Sequence, residues 1–262
     1  MELFPDPYTT DGWLLSVDGT PSSHIVLGEP RKLIFEYMRW MATGIESFVS
    51  QHLDAEKLRI THLGGGACTL ARYFADVYPG SRNTVVELDR ELARLVREWF
   101  DIPRSPRVKI RVDDARAVAQ DFTPASRDII IRDVFTDAET PYNLSTVEFF
   151  AHCHRGLAPG GLYVANCGDN SDLKVARAEV AGMLEVFDHV AAIADPPMLK
   201  GRRYGNIVFL ASDTPLPDAA SPAAAEMTRQ LLGGGVPAHY RDAAWVRRFA
   251  SGAKPRHDVV AD

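Results

Sequence analysis

The sequence predicts an α/β protein: a parallel, Rossmann-like sheet covered by helices on both faces, preceded by a small β/helix segment. Three observations carry this. From residue 58 onward, short apolar runs alternate with stretches of helical period, as a parallel sheet with crossover helices requires. Ile129, Ile130 and Ile131 are apolar on consecutive positions, which suits a strand buried on both faces. The first of these runs ends in Gly64, Gly65 and Gly66, where the chain can turn sharply and approach a ligand closely.

In chain order, residues 13–27 read as short extended pieces around a turn at Asp18 and Gly19. Pro30 is expected to open a helix with the stripe Leu33, Ile34, Met38, Met41 and Ile45. Strands are expected over 58–63, 83–88, 108–112, 128–131, 162–166, 190–194 and 206–211, seven in all, the last antiparallel to its neighbour. Helices are expected over 69–78, 90–99, 115–120, 146–157 and 173–187, with Pro159, Gly160 and Gly161 stopping the fourth of these. An Ala- and Pro-rich stretch, 214–225, reads as a linker or surface crossing, and two helices follow near 227–232 and 243–249. The expected organisation is an N-terminal strand/helix segment (1–50), a Rossmann-like domain (51–212), and a linker with a helical tail (213–262).

With 262 residues and 46% hydrophobic content, the chain can bury a full core. A net charge of -6 argues against nucleic acid as a partner and is compatible with a cationic small molecule. Three scattered cysteines match neither a disulfide framework nor zinc-ligand spacing, so a reducing compartment and no metal are expected. The N-terminus lacks a basic start followed by an apolar run, and no apolar stretch nears the roughly 18 residues of a membrane span. A cytoplasmic protein with no membrane partner is the expectation.

In an open parallel sheet, ligands bind beyond the carboxyl ends of the strands. Four such ends carry candidates that together describe an adenosine site. Gly64, Gly65 and Gly66 serve either ligand contact or a structural turn; their spacing is not the dinucleotide fingerprint. Glu87, past the second strand, can accept both ribose hydroxyls, since alternation would point Val86 and Leu88 inward. Its alternative is to cap the next helix, a role that suits Asp89. Asp113 and Asp114 offer a carboxylate to an adenine amino group, or a helix cap. Asp133 ends the fourth strand, where rigid sheet would position a general base or amine-binding group; satisfying loop amides is the alternative. Asp137 and Glu139 follow in a loop and are either site groups or solvated surface.

Other features read as structural. His152 and His154 are two apart on a helix and make a poor chelate. His62 lies within a strand and reads as a satisfied core residue, and Cys68 as packing. Trp40 reads as packing of the N-terminal helix on the main domain, or as lining the pocket mouth. Arg202 and Arg203 read as a solvated hairpin, or as a basic lip over an anionic substrate.

The run 58–166 resembles the catalytic domain of the spermidine synthases, the polyamine aminopropyltransferases, within the wider S-adenosylmethionine-dependent methyltransferase superfamily. The resemblance rests on Leu63 to Gly66, on Val-Val-Glu-Leu-Asp at 85–89, and on Asp-Ile-Ile-Ile-Arg-Asp at 128–133. Residues 141–144 with Glu148 and Phe149 are similar as well, and with Val17 to Gly19 the likeness spans roughly 13–212. The closest likeness is to divergent synthase-like proteins of actinobacteria. It implies the seven-stranded methyltransferase fold, with Glu87 on the ribose, Asp114 on the adenine and Asp133 on the reacting amine. The implied co-substrate is decarboxylated S-adenosylmethionine or S-adenosylmethionine, the implied partner a small-molecule amine, and the implied assembly a homodimer through the N-terminal segment, which the sequence itself only permits.

Several positions depart from the family. Ala67 stands where an acid follows the three glycines. Ser22 and Phe35 look like the positions of the family's polyamine-binding glutamine and tyrosine, with Arg31 and Lys32 nearby. Thr136 stands near the second acid of the catalytic loop, and Asp137 follows one residue later. Three readings stay open: aminopropyl transfer to an amine, S-adenosylmethionine-dependent methyl transfer, and a non-catalytic nucleoside-binding relative.

Overall fold

The computed structural model describes residues 1–136 and 139–259. The chain opens with β1 (Glu2–Pro5), β2 (Gly12–Val17) and β3 (Thr20–Val26), then α1 (Glu36–His52). Strands and helices then alternate: β4 (Arg59–Leu63), α2 (Thr69–Val77), β5 (Arg82–Glu87), α3 (Arg90–Trp99), β6 (Val108–Val112), α4 (Ala115–Gln120) and β7 (Arg127–Arg132). A 3-10 turn, Tyr142–Leu144, leads into α5 (Val147–Gly156), β8 (Leu157–Asp169), α6 (Lys174–Leu184) and β9 (His189–Ala194). The chain continues through α7 (Pro196–Leu199), β10 (Gly205–Ser212), α8 (Pro222–Leu232), β11 (His239–Arg241) and α9 (Ala243–Phe249).

The main sheet has eight strands in the order β11-β9-β10-β8-β7-β4-β5-β6. The run from β8 to β6 is parallel, and β10 lies antiparallel between β8 and β9, as expected for the seventh strand. The eighth strand is β11, antiparallel to β9 at the edge, in a region where the sequence led us to expect only helices. β1, β2 and β3 form a separate three-stranded antiparallel sheet.

Alternation along β7 shows how the sheet divides the core. Ile130 packs in the layer made by α4, α5, α6 and α9, whereas Ile129 and Ile131 pack in the layer made by α1, α2 and α8. Both layers are apolar, so consecutive isoleucines are required. A third cluster joins the N-terminal hairpin, through Leu15 and Ile25, to α2 and α3. The hairpin thereby lies over the glycine turn.

Three local expectations need correction. Helix α1 begins at Glu36, not at Pro30; the segment before it is a chain of turns, including Lys32 N–H to the Glu29 carbonyl at 3.1 Å. Leu33 is nonetheless buried, but Ile34 is 41% exposed, so the helical stripe was extended one turn too far. Strand β8 begins at Leu157; its register with β7 shifts between Arg127 and Ile129, so Pro159, Gly160 and Gly161 form an irregularity within a strand rather than a gap before one. Leu88 is 70% exposed, because β5 ends at Glu87 and the alternation stops there. Among the described residues, no helix is long and apolar enough to cross a membrane.

Candidate active site

The carboxyl ends of β4, β5 and β7 meet at the glycine turn. Gly64 has φ +92°, and a Cβ there would collide with the Asp133 carbonyl. Gly66 has φ +47°, and a Cβ there would lie 2.5 Å from Ser23 Oγ on the hairpin. Only glycine allows both the left-handed backbone and the approach of two other segments.

Glu87 completes this turn. Its Oε2 accepts N–H bonds from Gly65 and Gly66 at 3.0 and 3.2 Å, and its Oε1 accepts one from Asp89 at 3.0 Å. Asp89 caps α3 by accepting from Glu91 and Leu92, which leaves Glu87 free of helix capping. On the next strand, Asp113 is engaged by Arg111 at 2.5 Å and by the Asp114 N–H at 2.9 Å; Arg111 holds its carboxyl below the usual carboxylate range. Asp114 caps α4 through Ala117 N–H at 2.8 Å and is exposed at the sheet's ligand edge. The two acids thus divide between an ion pair and a cap.

Asp133 is held differently. Its N–H donates to the Leu63 carbonyl at 2.8 Å, which extends the β7–β4 ladder one residue into the loop. Its carboxylate is partly buried and accepts from the Tyr37 hydroxyl at 3.1 Å and from Asn166 Nδ2 at 3.0 Å. Burial raises its pKa above the ordinary value, opposed by these two bonds and by the Arg132 charge. Burial and the neighbouring Asp133 charge push the Tyr37 phenol well up, so it remains a donor. Behind the pair, Arg132 is fully buried, bonds Glu179, and donates to Thr140 Oγ1 at 2.6 Å. That contact ties the exit of the 133–140 loop to the sheet.

Tyr37 and Asn166 escaped the sequence reading. Phe35 precedes α1 as its N-cap residue, with its ring 6.1 Å from that of Tyr37. The Tyr37 hydroxyl, on the first turn of the helix, was the available signal for a donor to Asp133. Ser22 lies beside Gly66, while Ser23, which was not singled out, accepts the Ala67 N–H at 3.0 Å. Asp137 lies outside the described residues. Glu139 is exposed, and its backbone bridges Thr136.

The residues set aside have structural roles. His62 is buried against Asn83 at 3.0 Å, with its pKa pushed down to about 4 by burial. Burial pushes the Cys68 thiol up to about 12, far from a reactive thiolate. Trp40 is 2% exposed within the α1 layer. His154 pairs with Asp213 at 2.7 Å, and Arg203 pairs with the buried Asp195. Among the described residues, no group of three His, Cys, Asp or Glu is arranged to hold a metal.

No family model matches the chain. The crystal structure of a probable spermidine synthase from Corynebacterium glutamicum ATCC 13032 is 73% identical, with a TM-score of 0.97 over 99% of this chain and 93% of that one. A probable polyamine aminopropyl transferase of Bifidobacterium longum is 34% identical over 113 residues, 42% of this chain. A polyamine aminopropyltransferase of Thioalkalivibrio sulfidiphilus is 28% identical over 163 residues, 60% of this chain. The chain spans 24% and 54% of the lengths of these two curated relatives. Likeness to the Corynebacterium protein over nearly the full length of both chains decides the assignment: the chain belongs to the spermidine synthase family.

Proposed function

We propose that this protein transfers an aminopropyl group from decarboxylated S-adenosylmethionine to a small-molecule amine, with Asp133 holding the amine and receiving its proton. The nitrogen lone pair attacks the methylene carbon next to the sulfonium, the carbon–sulfur bond breaks, and methylthioadenosine leaves with the bonding pair. The proton released from nitrogen passes to Asp133, directly or through water. The sulfonium is already a good leaving group, so the protein's tasks are alignment and a neutral nucleophile. Alignment can contribute up to roughly 7–11 kcal/mol in ideal cases, and a positioned base about 10²–10⁴-fold.

The observation that carries this reading is Asp133 itself. It is fixed by the β7–β4 ladder, oriented by Tyr37 and Asn166, and made more basic by burial. Glu87 supports the donor half of the reading. A carboxylate offers about four lone-pair sites, and three N–H groups engage this one, which leaves acceptor capacity for a ribose hydroxyl. Asp114, whose Oδ1 is on its helix cap, would offer its second oxygen to the adenine amino group.

One observation favours a second reading, methyl transfer from S-adenosylmethionine. Ala67 is 0% exposed, with its N–H on Ser23, so this position offers no acid to an aminopropyl ammonium. Calorimetric titration with decarboxylated S-adenosylmethionine and, separately, with S-adenosylmethionine decides between them. Aminopropyl transfer requires tighter binding of the decarboxylated donor. Preference for the carboxylated donor overturns it in favour of methyl transfer, and binding of neither leaves a non-catalytic relative.

A further inference from the structure

A second concavity lies apart from the glycine turn, between the segment before α1, the outer side of α1, α2 and the end of α8. It encloses about 500 Å³, a volume in the range of small-molecule sites. Four cations line it, Arg31, Lys32, Arg39 and Arg229, against one carboxylate, Glu46.

The four cations are not equally occupied. Arg31 pairs with Asp76 at 2.6 Å, Arg229 pairs with Glu226, and Lys32 lies 3.8 Å from Glu29. All three pairs are solvent-exposed and hold their cations loosely. Glu46 is itself engaged by the Tyr73 hydroxyl. Arg39 has no carboxylate partner among the described residues, and its Nε is buried without a hydrogen-bond acceptor. Its guanidinium lies against Gly234, where any Cβ would collide with it. A planar fork of donors that lines a groove without a carboxylate partner among the described residues is suited to bind oxyanions.

We propose that this groove binds a small polyanion, a molecule carrying phosphate or several carboxylates, with Arg39 as its central contact. The amine acceptor and the sulfonium donor of the proposed reaction are both cations, which Arg39, unpaired among the described residues, would repel, so the groove serves a different ligand. The inference therefore stands or falls independently of the transfer reaction.

The test is calorimetric titration of the full chain with pyrophosphate and, separately, with citrate, in about 50 mM salt so that screening is weak. Binding of pyrophosphate alone identifies phosphate as the recognised group, and binding of citrate alone identifies carboxylates. In either case Arg39→Gln should weaken binding by about tenfold or more, or 1.4 kcal/mol. Gly234→Ala, which displaces the guanidinium without removing it, should weaken binding in the same direction and serves if Arg39→Gln fails to fold. Lys57→Gln, an exposed charge outside the groove, should change nothing. The proposal is overturned if the wild type binds neither anion, or if the Arg39 and Gly234 variants, with wild-type melting temperatures, bind as the wild type does.

Discussion

Glu87 and Asp133 are carboxylates at the ends of strands that flank the same central strand, β4, yet they are satisfied in opposite ways. Glu87 accepts three backbone N–H groups, two from the glycine turn and one from Asp89. Asp133 accepts from two side chains, Tyr37 and Asn166, and sits in a site dry enough to raise its pKa. Backbone donors cannot rotate away, so Glu87 is a fixed part of the turn. Side-chain donors can exchange, so the proposed function has Asp133 trade a bond for a substrate amine. Under the proposed function, the difference separates a carboxylate that shapes a binding surface from one placed to take part in proton transfer.

The largest effect that sharpens this comparison is at Asp133. Asp133→Asn should reduce kcat/KM for amine transfer by about 10²–10⁴-fold while leaving nucleoside binding intact. It should also stabilise the protein at neutral pH. A carboxyl whose folded pKa lies above its unfolded value contributes stability below the unfolded value, and loses it as pH rises through the folded one. At pH 7 the ionised Asp133 is therefore a cost, which asparagine removes; each kcal/mol regained raises Tm by about 2–4 °C. The gain should shrink as pH falls toward 4. An Asp133→Asn enzyme of full activity would take Asp133 out of the mechanism, and one destabilised at pH 7 would contradict its burial as a charge.

Glu87→Gln should do the reverse. An amide has one acceptor oxygen for three converging N–H groups, and its own N–H₂ would face a donor. Loss of about 1 kcal/mol of stability is expected, with donor affinity down by about tenfold and little change in kcat at saturating donor. Thermal melting and donor titration check both halves. Loss of kcat without loss of affinity would make Glu87, too, part of the chemistry.

The same contrast explains what was legible in the sequence. Glu87 and its partners lie within the single β4–α2–β5 unit, whose glycine turn and strand end are each readable from sequence, and Asp89 and Asp114 cap helices that begin at the next residue, so local rules reach them. Helix α4 occupies the predicted 115–120 for the same reason. Asp133 was legible as a strand end, but its partners were not, because Tyr37 and Asn166 reach it across 96 and 33 residues of chain. Within α1, Tyr37 follows Glu36 on a first turn whose start was misplaced, so its direction could not be read. Strand β11 is three residues long and polar at both ends, with no period to announce it; pairing with β9 creates it. Strand β1 is mostly exposed and equally silent.

The smallest effect tests the link that the sequence did not reveal. The Tyr37 hydroxyl donates to the ionised carboxylate of Asp133 and so favours that form, lowering the pKa that burial raises. Tyr37→Phe removes the donor and keeps the ring, so Asp133 should hold its proton to higher pH. The acidic limb of kcat/KM should then move upward in pH, and the value at the optimum should fall by roughly tenfold at most, the weight of one typical intramolecular hydrogen bond. Phe35→Leu, which touches the Tyr37 ring and not the carboxylate, should leave the limb where it is. A limb that stays put in Tyr37→Phe would mean that the titrating group is not Asp133. A limb that moves downward would mean that Tyr37 favours the protonated acid, and with it that the amine meets a carboxyl rather than a carboxylate.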